Sequence, residues 1–468
     1  LSLTTCWTWQ LGWAAEPSTC DDLELLIART AIVPPLLGCL ADDFTGGTDL
    51  AGMLVKHGMR TNLQIGVPSG PVPDDVDAIV IALKSRTTPA DEAVSESLAA
   101  LHWLRAAGCR QFYFKYCSTF DSTSKGNIGP VAEALMTALD VDFTIACPAF
   151  PENRRTIYQG HLFVGDVLLS DSGMRHHPLT PMTDANLVRV LQSQVQRKVG
   201  LVDHATVRQG AAAIVRRFEA LRSEGCGFGV VDAISNEDIE AIGAACKDLV
   251  LVTAGSGVAL GLPENFRRDG VLGEAGGADA LPVARGLSAV IAGSCSVATN
   301  AQVAAMKAVR PSFQIDALAI AGGVDVAGQA LQWAAANLGA EPILFHATAS
   351  PDEVRTVQAQ LGVERAGALV EETLAHIACG LVSLGVGQLI VAGGETSGAV
   401  VKALGVTGLR IGPEIDPGVP WTAALGTAEP LLLALKSGNF GSNDFFLKAW
   451  RHLPFSVAVG ATGTGASQ

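Results

Sequence analysis

The chain has 468 residues, 49% hydrophobic and 17% charged, with 32 Lys and Arg against 46 Asp and Glu for a net charge of −14. That length suits two domains of ordinary size, and the acidic balance excludes a nucleic-acid surface or a polybasic membrane anchor, which both need concentrated positive charge. An anionic substrate would need a local basic pocket inside this acidic molecule.

Residues 1–34 stand apart from the rest. Trp7, Trp9 and Trp13 crowd into the first stretch, no helical or strand period holds, and no basic region precedes an apolar core as in a signal peptide. The segment is too polar to span a membrane. It is expected to be a disordered leader or an over-extended start, with the fold beginning near Pro35. The ten cysteines form no C-x-x-C pair and no zinc-like spacing. Cys39, Cys147 and Cys295 sit in apolar runs, so buried thiols in a reducing, cytoplasmic compartment are expected.

From Leu36 onward, strand-length apolar runs alternate with helical patterns. "LLGCLA" (36–41) precedes a helix with Leu50, Met53 and Leu54 on one face, and "DAIVIAL" (77–83) precedes one over about 90–107 that Gly108 stops. "QFYFKY" (111–116) and "DFTIACPAF" (142–150) flank a helix over 131–139, and "FGVVDAI" (228–234) and "LVLVTAG" (249–255) continue the series. The Gly/Ala-rich run 270–286 suits an interdomain linker. A second series follows, with "LSAVIAGSCS", "PILFHATAS", a long helix around 366–384 and "QLIVAGGETSGAV", and no internal sequence repeat is visible. The expected fold is two α/β domains with largely parallel sheets, a first domain over 35–268 and a second over 287–460, with the active site in the cleft between them.

Ligands of open α/β sheets bind at the carboxyl ends of strands. Four such ends in the first half are polar. "ADDFTGGTD" (41–49) carries Asp42, Asp43 and Asp49, and "LKSRT" (83–87) carries Lys84, Ser85 and Arg86. "KYCSTFDSTSKGNIG" (115–129) carries Lys115, Asp121, Ser122, Thr123, Lys125 and Asn127, and "CPAFPENRRTIYQG" (147–160) carries Arg154 and Arg155. Taken singly, each has an ordinary alternative as a helix cap or a solvated loop; four at equivalent positions make a basic pocket for a carboxylate or phosphate. The second half is poorer in charge, but "AGSCS" (292–296), "AGGETSG" (392–398) and "LKSGNFG" (435–441) can offer backbone N–H groups and hydroxyls to phosphates. No P-loop is present, and "GSGVALG" (255–261) has the wrong glycine spacing for a dinucleotide fingerprint. His176 and His177 are adjacent in a loop without a third ligand at metal spacing, and His57 and His102 fall on helices, so none is assigned to a metal.

In order along the chain, "GCLADDFTGGTDLA", "LKSRT", "KYCSTFDSTSKGNIGP", "GHLFVGDVLLSDSGMRHHPLTPMTD", "GGETSG" and "LKSGNFG" resemble the four-carbon acid sugar kinase family over Leu36 to about Leu447. The resemblance implies an N-terminal acid-sugar domain, a C-terminal ATP domain, and phosphorylation by ATP of the C4 hydroxyl of a 3-oxo-tetronate. Matched position by position, it implies that Ser294, the turn Gly393, Gly394, Glu395 and Thr396, and Gly438 contact ATP. Magnesium is expected with the nucleotide, with no ligand set named, and a homo-oligomer is compatible with this reading. For the base that takes the hydroxyl proton, Asp43 is preferred and Asp42 and Asp121 stay open, with Lys115 or Lys125 offsetting charge. The family has Gly where this chain has Arg154, a residue that tolerates positive φ less readily. Two other functions remain in view. One is a phosphatase with a strand-end Asp nucleophile, although such sites place aspartates two apart; the other is a non-catalytic sugar-acid and nucleotide sensor.

Overall fold

The computed structural model describes residues 34–453 except 73, 122, 177–179, 275, 284, 350 and 428. The leader over 1–33, Ser122, His177 and the last residues of the second domain lie outside the described residues.

The first half contributes β1 (Leu37–Ala41), β2 (Thr61–Ile65), β3 (Ala78–Ala82), β4 (Gln111–Lys115) and β5 (Thr144–Cys147). A small antiparallel sheet follows, of β6 (Arg155–Tyr158), β7 (His161–Val164) and β8 (Val167–Leu168); then come β9 (Lys198–Val202), β10 (Cys226–Val231) and β11 (Leu251–Ala254). The second half contributes β12 (Leu287–Ala292), β13 (Ser312–Gln314), β14 (Ile343–His346), β15 (Val386–Ala392), β16 (Gly408–Asp416), β17 (Val419–Leu425) and β18 (Leu432–Lys436). β1 and β3 are buried along their whole length, as expected of parallel strands covered by helices on both faces. That double cover explains their unbroken apolar runs.

Fifteen strands join in one sheet of order β13-β14-β12-β15-β18-β17-β16-β2-β3-β1-β4-β11-β5-β10-β9. The first-half strands pair in parallel, and so do β13, β14, β12, β15 and β18. The two α/β halves meet edge to edge where the hairpin β16–β17 pairs antiparallel with β18 on one side and with β2 on the other. Arg410 stands opposite Asn62 and Leu409 opposite Leu63 across that seam.

Each half begins with the same topology. In β2-β3-β1-β4 and in β13-β14-β12-β15 the first strand lies between the third and the fourth, so strand order reverses beside the first strand. Such a switch point opens a crevice at the carboxyl ends, because the flanking connections leave to opposite faces. One crevice is headed by Asp42, Asp43 and Lys115, the other by Gly293, Ser294 and Gly393. The likeness of the halves lies in topology and left no repeat in the residues.

Other expectations meet the structure element by element. The helix after β1 runs Phe44–Lys56 and the helix expected near 366–384 runs Val363–Ser383. Cys39 and Cys147 are buried, but Cys295 is exposed, contrary to expectation: the apolar run ends at Ala292, and Cys295 lies in the loop before the helix Val297–Lys307. His57 caps a helix end through Met53 O at 2.8 Å, and His102 and His176 are exposed. No described helix is long and apolar enough to cross a membrane.

Candidate active site

Asp42 and Asp43 follow directly on the end of β1, and Arg86 Nη2 stands 2.9 Å from an oxygen of each, but their surroundings differ. Asp42 N donates to Lys115 O at 3.1 Å, while Asp42 O accepts from Ser85 N at 3.1 Å and Arg86 N at 3.2 Å. The ends of β1, β3 and β4 are thereby stitched together. The Asp42 side chain is buried, and Arg86 grips both its oxygens, Nε on Oδ2 and Nη2 on Oδ1, each at 2.9 Å. Burial pushes the Asp42 carboxyl up against the pull of Arg86. On Arg86 burial pulls downward, and the hydrogen bonds and charge of Asp42 together with the charge of Asp43 more than offset it, so the guanidinium stays charged.

Asp43 is the more open of the two. Its backbone is extended and its Oδ1 caps the helix Phe44–Lys56 through Gly46 N at 2.8 Å. The same oxygen lies 2.9 Å from Arg86 Nη2 and 3.8 Å from Lys115 Nζ, and Oδ2 has no hydrogen-bond partner among the described residues. Arg86 and Lys115 thus neutralise two carboxylates that would otherwise repel. Gly46 makes this possible, since a Cβ there would collide with both Lys115 Nζ and Asp43 Oδ1.

The remaining first-half candidates divide. Asp121 accepts from Thr119 Oγ1 and lies 4.0 Å from Arg86 Nη1, the nitrogen that Asp42 does not hold. With Asp42, Ser85 and Asn127 it lines a cavity of only about 10 Å³. Asn127 is a backbone clamp, its Nδ2 donating to Ser85 O at 2.6 Å and Thr88 O at 2.8 Å. Thr123 is half-buried, with its carbonyl accepting from Gln194 Nε2 at 2.6 Å. Lys84 and Lys125 are exposed and line neither cavity. Asp49, six residues on from the cap in the same helix, is pushed up by burial, with Lys115 and a Ser256 hydrogen bond pulling the other way.

In the second half the residues matched to ATP contact form a knot. Gly393, at φ 129, leads the helix Gly394–Ala403 with no side-chain cap. A Cβ on it would stand 2.9 Å from Thr396 Oγ1 and 3.2 Å from Ser294 N, and a Cβ on Gly438 would collide with Ser294 Oγ. Ser294, Gly393, Thr396 and Gly438 are therefore neighbours, in a cradle that any larger residue would fill. Two helix N-termini meet here, since Ser296 caps Val297–Lys307. Uncapped N–H groups at the positive end of a helix dipole fit phosphate. Glu395 is exposed and, after the effect of burial, its charge adds to the upward push on Glu371.

Both halves open into one cleft of about 1170 Å³. Asp43, Asp49, Arg86 and Lys115 line it from one side, and Gly394, Ser397, Lys436 and Asn439 from the other. Of the three candidate bases, Asp43 alone reaches it. The expected linker contributes Gly276–Asp279 to its wall. Two basic residues in it were underrated from sequence. Arg155, on β6, lines the cleft with a buried Nε that has no hydrogen-bond partner among the described residues. Lys436, quoted within "LKSGNFG" but passed over for its glycine, is a fully buried lysine at the end of an apolar strand. A lone Lys closing such a run was the available signal. Arg154 does not line the cleft; it sits at φ 57 with its guanidinium against Gly165.

A largely parallel α/β sheet whose two halves share one cleft, one side charged and the other beside glycine-rich turns suited to phosphate, defines a two-substrate enzyme that unites a polar small molecule with a nucleotide. Comparison with known proteins gives that class its family. The family descriptions "Sugar-binding N-terminal domain" and "Nucleotide-binding C-terminal domain" match residues 37–262 and 289–446. A Burkholderia multivorans protein named 3-oxo-tetronate kinase is 64% identical over 419 residues, 90% of this chain and 97% of the relative. One of the same name from Cupriavidus necator is 61% identical over 432 residues, 92% and 99% of the two chains. A crystal structure from Haemophilus influenzae, described under the family name DUF1537, superposes with a TM-score of 0.81 at 47% identity, covering 88% and 99%. The chain belongs to the four-carbon acid sugar kinase family.

Proposed function

We propose that this protein is an ATP-dependent kinase that transfers a phosphoryl group to the C4 hydroxyl of a 3-oxo-tetronate, within four-carbon sugar acid catabolism. The observation that carries the reading is a cleft lined by Asp43, Arg86 and Lys115 on one side and by Gly394, Ser397, Lys436 and Asn439 on the other, where Gly394 and Asn439 directly follow Gly393 and Gly438 of the knot. Relatives named 3-oxo-tetronate kinase at 58–64% identity support the substrate class. The sugar acid occupies the domain over 35–268 and ATP the domain over 287–460.

Phosphoryl transfer asks the protein chiefly to align a hydroxyl with the γ-phosphate and to offset charge. Asp43 Oδ2 accepts the C4 hydroxyl proton, while Arg86 and Lys115 hold the carboxylate and face the developing charge. Asp42 positions Arg86 and is not the base, because both its oxygens are engaged. Arg155 supplies the unpartnered donor that the sugar-acid carboxylate needs. Ser294, Gly393, Gly394, Thr396 and Gly438 hold the phosphates of ATP. Magnesium serves as the counter-ion of those phosphates, a role that needs few protein ligands; among the described residues no group of three or more His, Cys, Asp or Glu is placed to hold a metal ion. The aspartates are adjacent and Asp42 is held by Arg86 away from the cleft lining, which disfavours the phosphatase alternative. The test is ADP release from ATP and magnesium across a panel of four-carbon sugar acids. Release confined to 3-oxo-tetronates supports the reading, and silence across the panel from folded protein contradicts it.

A further inference from the structure

Lys436 is a lysine with no carboxylate beside it among the described residues. It closes β18, its side chain is fully buried, and it lines the cleft. Its ammonium has three donors, and three neutral oxygens take them: Thr299 Oγ1 at 3.0 Å, Ser437 O at 3.1 Å and Gly438 O at 3.1 Å. The ring of Phe446 lies 6.0 Å away, and no acidic residue pairs with Lys436 among the described residues. Burying an unpaired ammonium is costly, so its retention calls for a reason.

The acceptors supply one. Gly438 O receives Lys436 Nζ, Ser296 Oγ at 2.6 Å and Thr299 Oγ1 at 2.8 Å, three donors on one carbonyl. In a planar trans peptide the C=O and the following N–H point in opposite directions. With the Ser437 and Gly438 carbonyls drawn in to Lys436, the N–H groups of Gly438 and Asn439 are turned away from it. Asn439 and Phe440 lie on the cleft wall. Phe440 N closes the turn onto Ser437 O at 3.2 Å, while the two intervening amides donate to no group among the described residues. Successive free amides backed by a positive charge form an anion nest.

We propose that Lys436 is a positioning residue for the phosphoryl donor, fixing the Gly438 and Asn439 amides as a cradle for a nucleotide phosphate and placing its charge directly behind them. This rests on the kinase reading and extends it, since the resemblance points to Gly438 and to neither Lys436 nor Asn439. Burial holds the Lys436 ammonium down at about 8. A phosphate bound in front of it favours the charged form, so ATP binding draws a proton onto Lys436 wherever it is partly neutral.

The experiment is calorimetric titration of full-length protein with magnesium ATP from pH 7 to 9, with two buffers of different ionisation enthalpy at pH 8.5, where that nucleotide is itself fully deprotonated. The wild type is expected to take up part of a proton at pH 8.5 and to bind more weakly as pH rises. Lys436→Met is expected to take up none, to bind about ten- to hundredfold more weakly at pH 7, as for loss of hydrogen bonds from a charged group, and to lose the pH trend. A purely structural role would lower the melting temperature but leave proton uptake in place. Thr299→Val, which removes one anchor from Gly438 O, should weaken ATP about two- to tenfold and covers the case in which Lys436→Met does not fold. Unchanged affinity and uptake in a folded Lys436→Met overturn the proposal; so does a wild type without uptake whose Thr299→Val variant binds normally. A wild type that binds ATP with uptake but releases no ADP on any sugar acid contradicts the kinase reading and leaves the cradle standing.

Discussion

Replacing Asp43 by Asn separates chemistry from scaffolding at the centre of the site. Asn keeps the shape and is as good an N-cap as Asp, so the hydrogen bond from Gly46 N survives. What is lost is a negative charge 2.9 Å from Arg86 and 3.8 Å from Lys115. Asp43 is 31% exposed and Arg86 keeps its two bonds to Asp42, so the stability loss should be about 1 kcal/mol, at the scale of a partly solvated ion pair. Loss of the proton acceptor should lower kcat by about 10²- to 10⁴-fold, the usual contribution of a general base. The KM for ATP should stay within about twofold, since the phosphate knot belongs to the other half. Asp42→Asn should invert this pattern, since stripping one partner from a buried bidentate pair costs about 3–5 kcal/mol and leaves Arg86 loose; its main signature is a large drop in melting temperature. A coupled assay of ADP release on both folded variants, with thermal melts alongside, reads all of this. If Asp43→Asn keeps near wild-type kcat while Asp42→Asn or Asp121→Asn loses it per folded molecule, the assignment of the base is wrong.

Other outcomes follow from the same geometry. Gly46→Ala pushes a methyl group into Lys115 Nζ and Asp43 Oδ1; kcat should drop about 10²-fold, as for a misplaced catalytic group, and normal kinetics would show that Lys115 is dispensable. Arg155→Lys, which cannot present a planar fork, should raise the KM for the sugar acid about tenfold with little change in kcat, and an unaltered KM would remove Arg155 from carboxylate recognition. Arg154→Gly relieves a left-handed backbone at φ 57 that costs a non-glycine residue about 1–2 kcal/mol; less the entropy of a new glycine, stability should rise by roughly 0.5–1 kcal/mol, and a lower melting temperature would mean that the guanidinium contact with Gly165 matters more. Lys436, held down at about 8, binds fewer protons in the folded than in the unfolded protein between pH 8 and its ordinary range. Its contribution to stability therefore rises with pH across that window, and Lys436→Met should flatten that rise in denaturant melts.

Much of the fold was legible because parallel strands buried on both faces spell continuous apolar words, as in "AIVIA" at β3, and because helices start at visible caps such as Asp43. The hairpin β6–β8 was missed: its strands are short and only partly buried, so no clean alternation marks them. The seam between β2 and β16 left no local trace either, since pairing of strands more than three hundred residues apart depends on topology rather than on neighbouring residues. Within the site, "DD" marked the place but not the roles. Which of Asp42 and Asp43 reaches the cleft is decided by the turn from β1 into the helix that Asp43 caps and by the position of Arg86, which tertiary structure sets. Lys84 and Lys125 looked like pocket residues because charge at a strand end reads the same whether it faces the crevice or solvent.

The most direct measurement of the central claim is the position of the phosphate in the product. Purified protein, ATP, magnesium and a 3-oxo-tetronate would be allowed to react, and phosphorus and carbon NMR spectra of the mixture recorded. The account predicts one phosphate ester per ADP formed, with its phosphorus coupled to C4 of the sugar acid. Free phosphate as the sole product, or an ester at any other carbon, would contradict it.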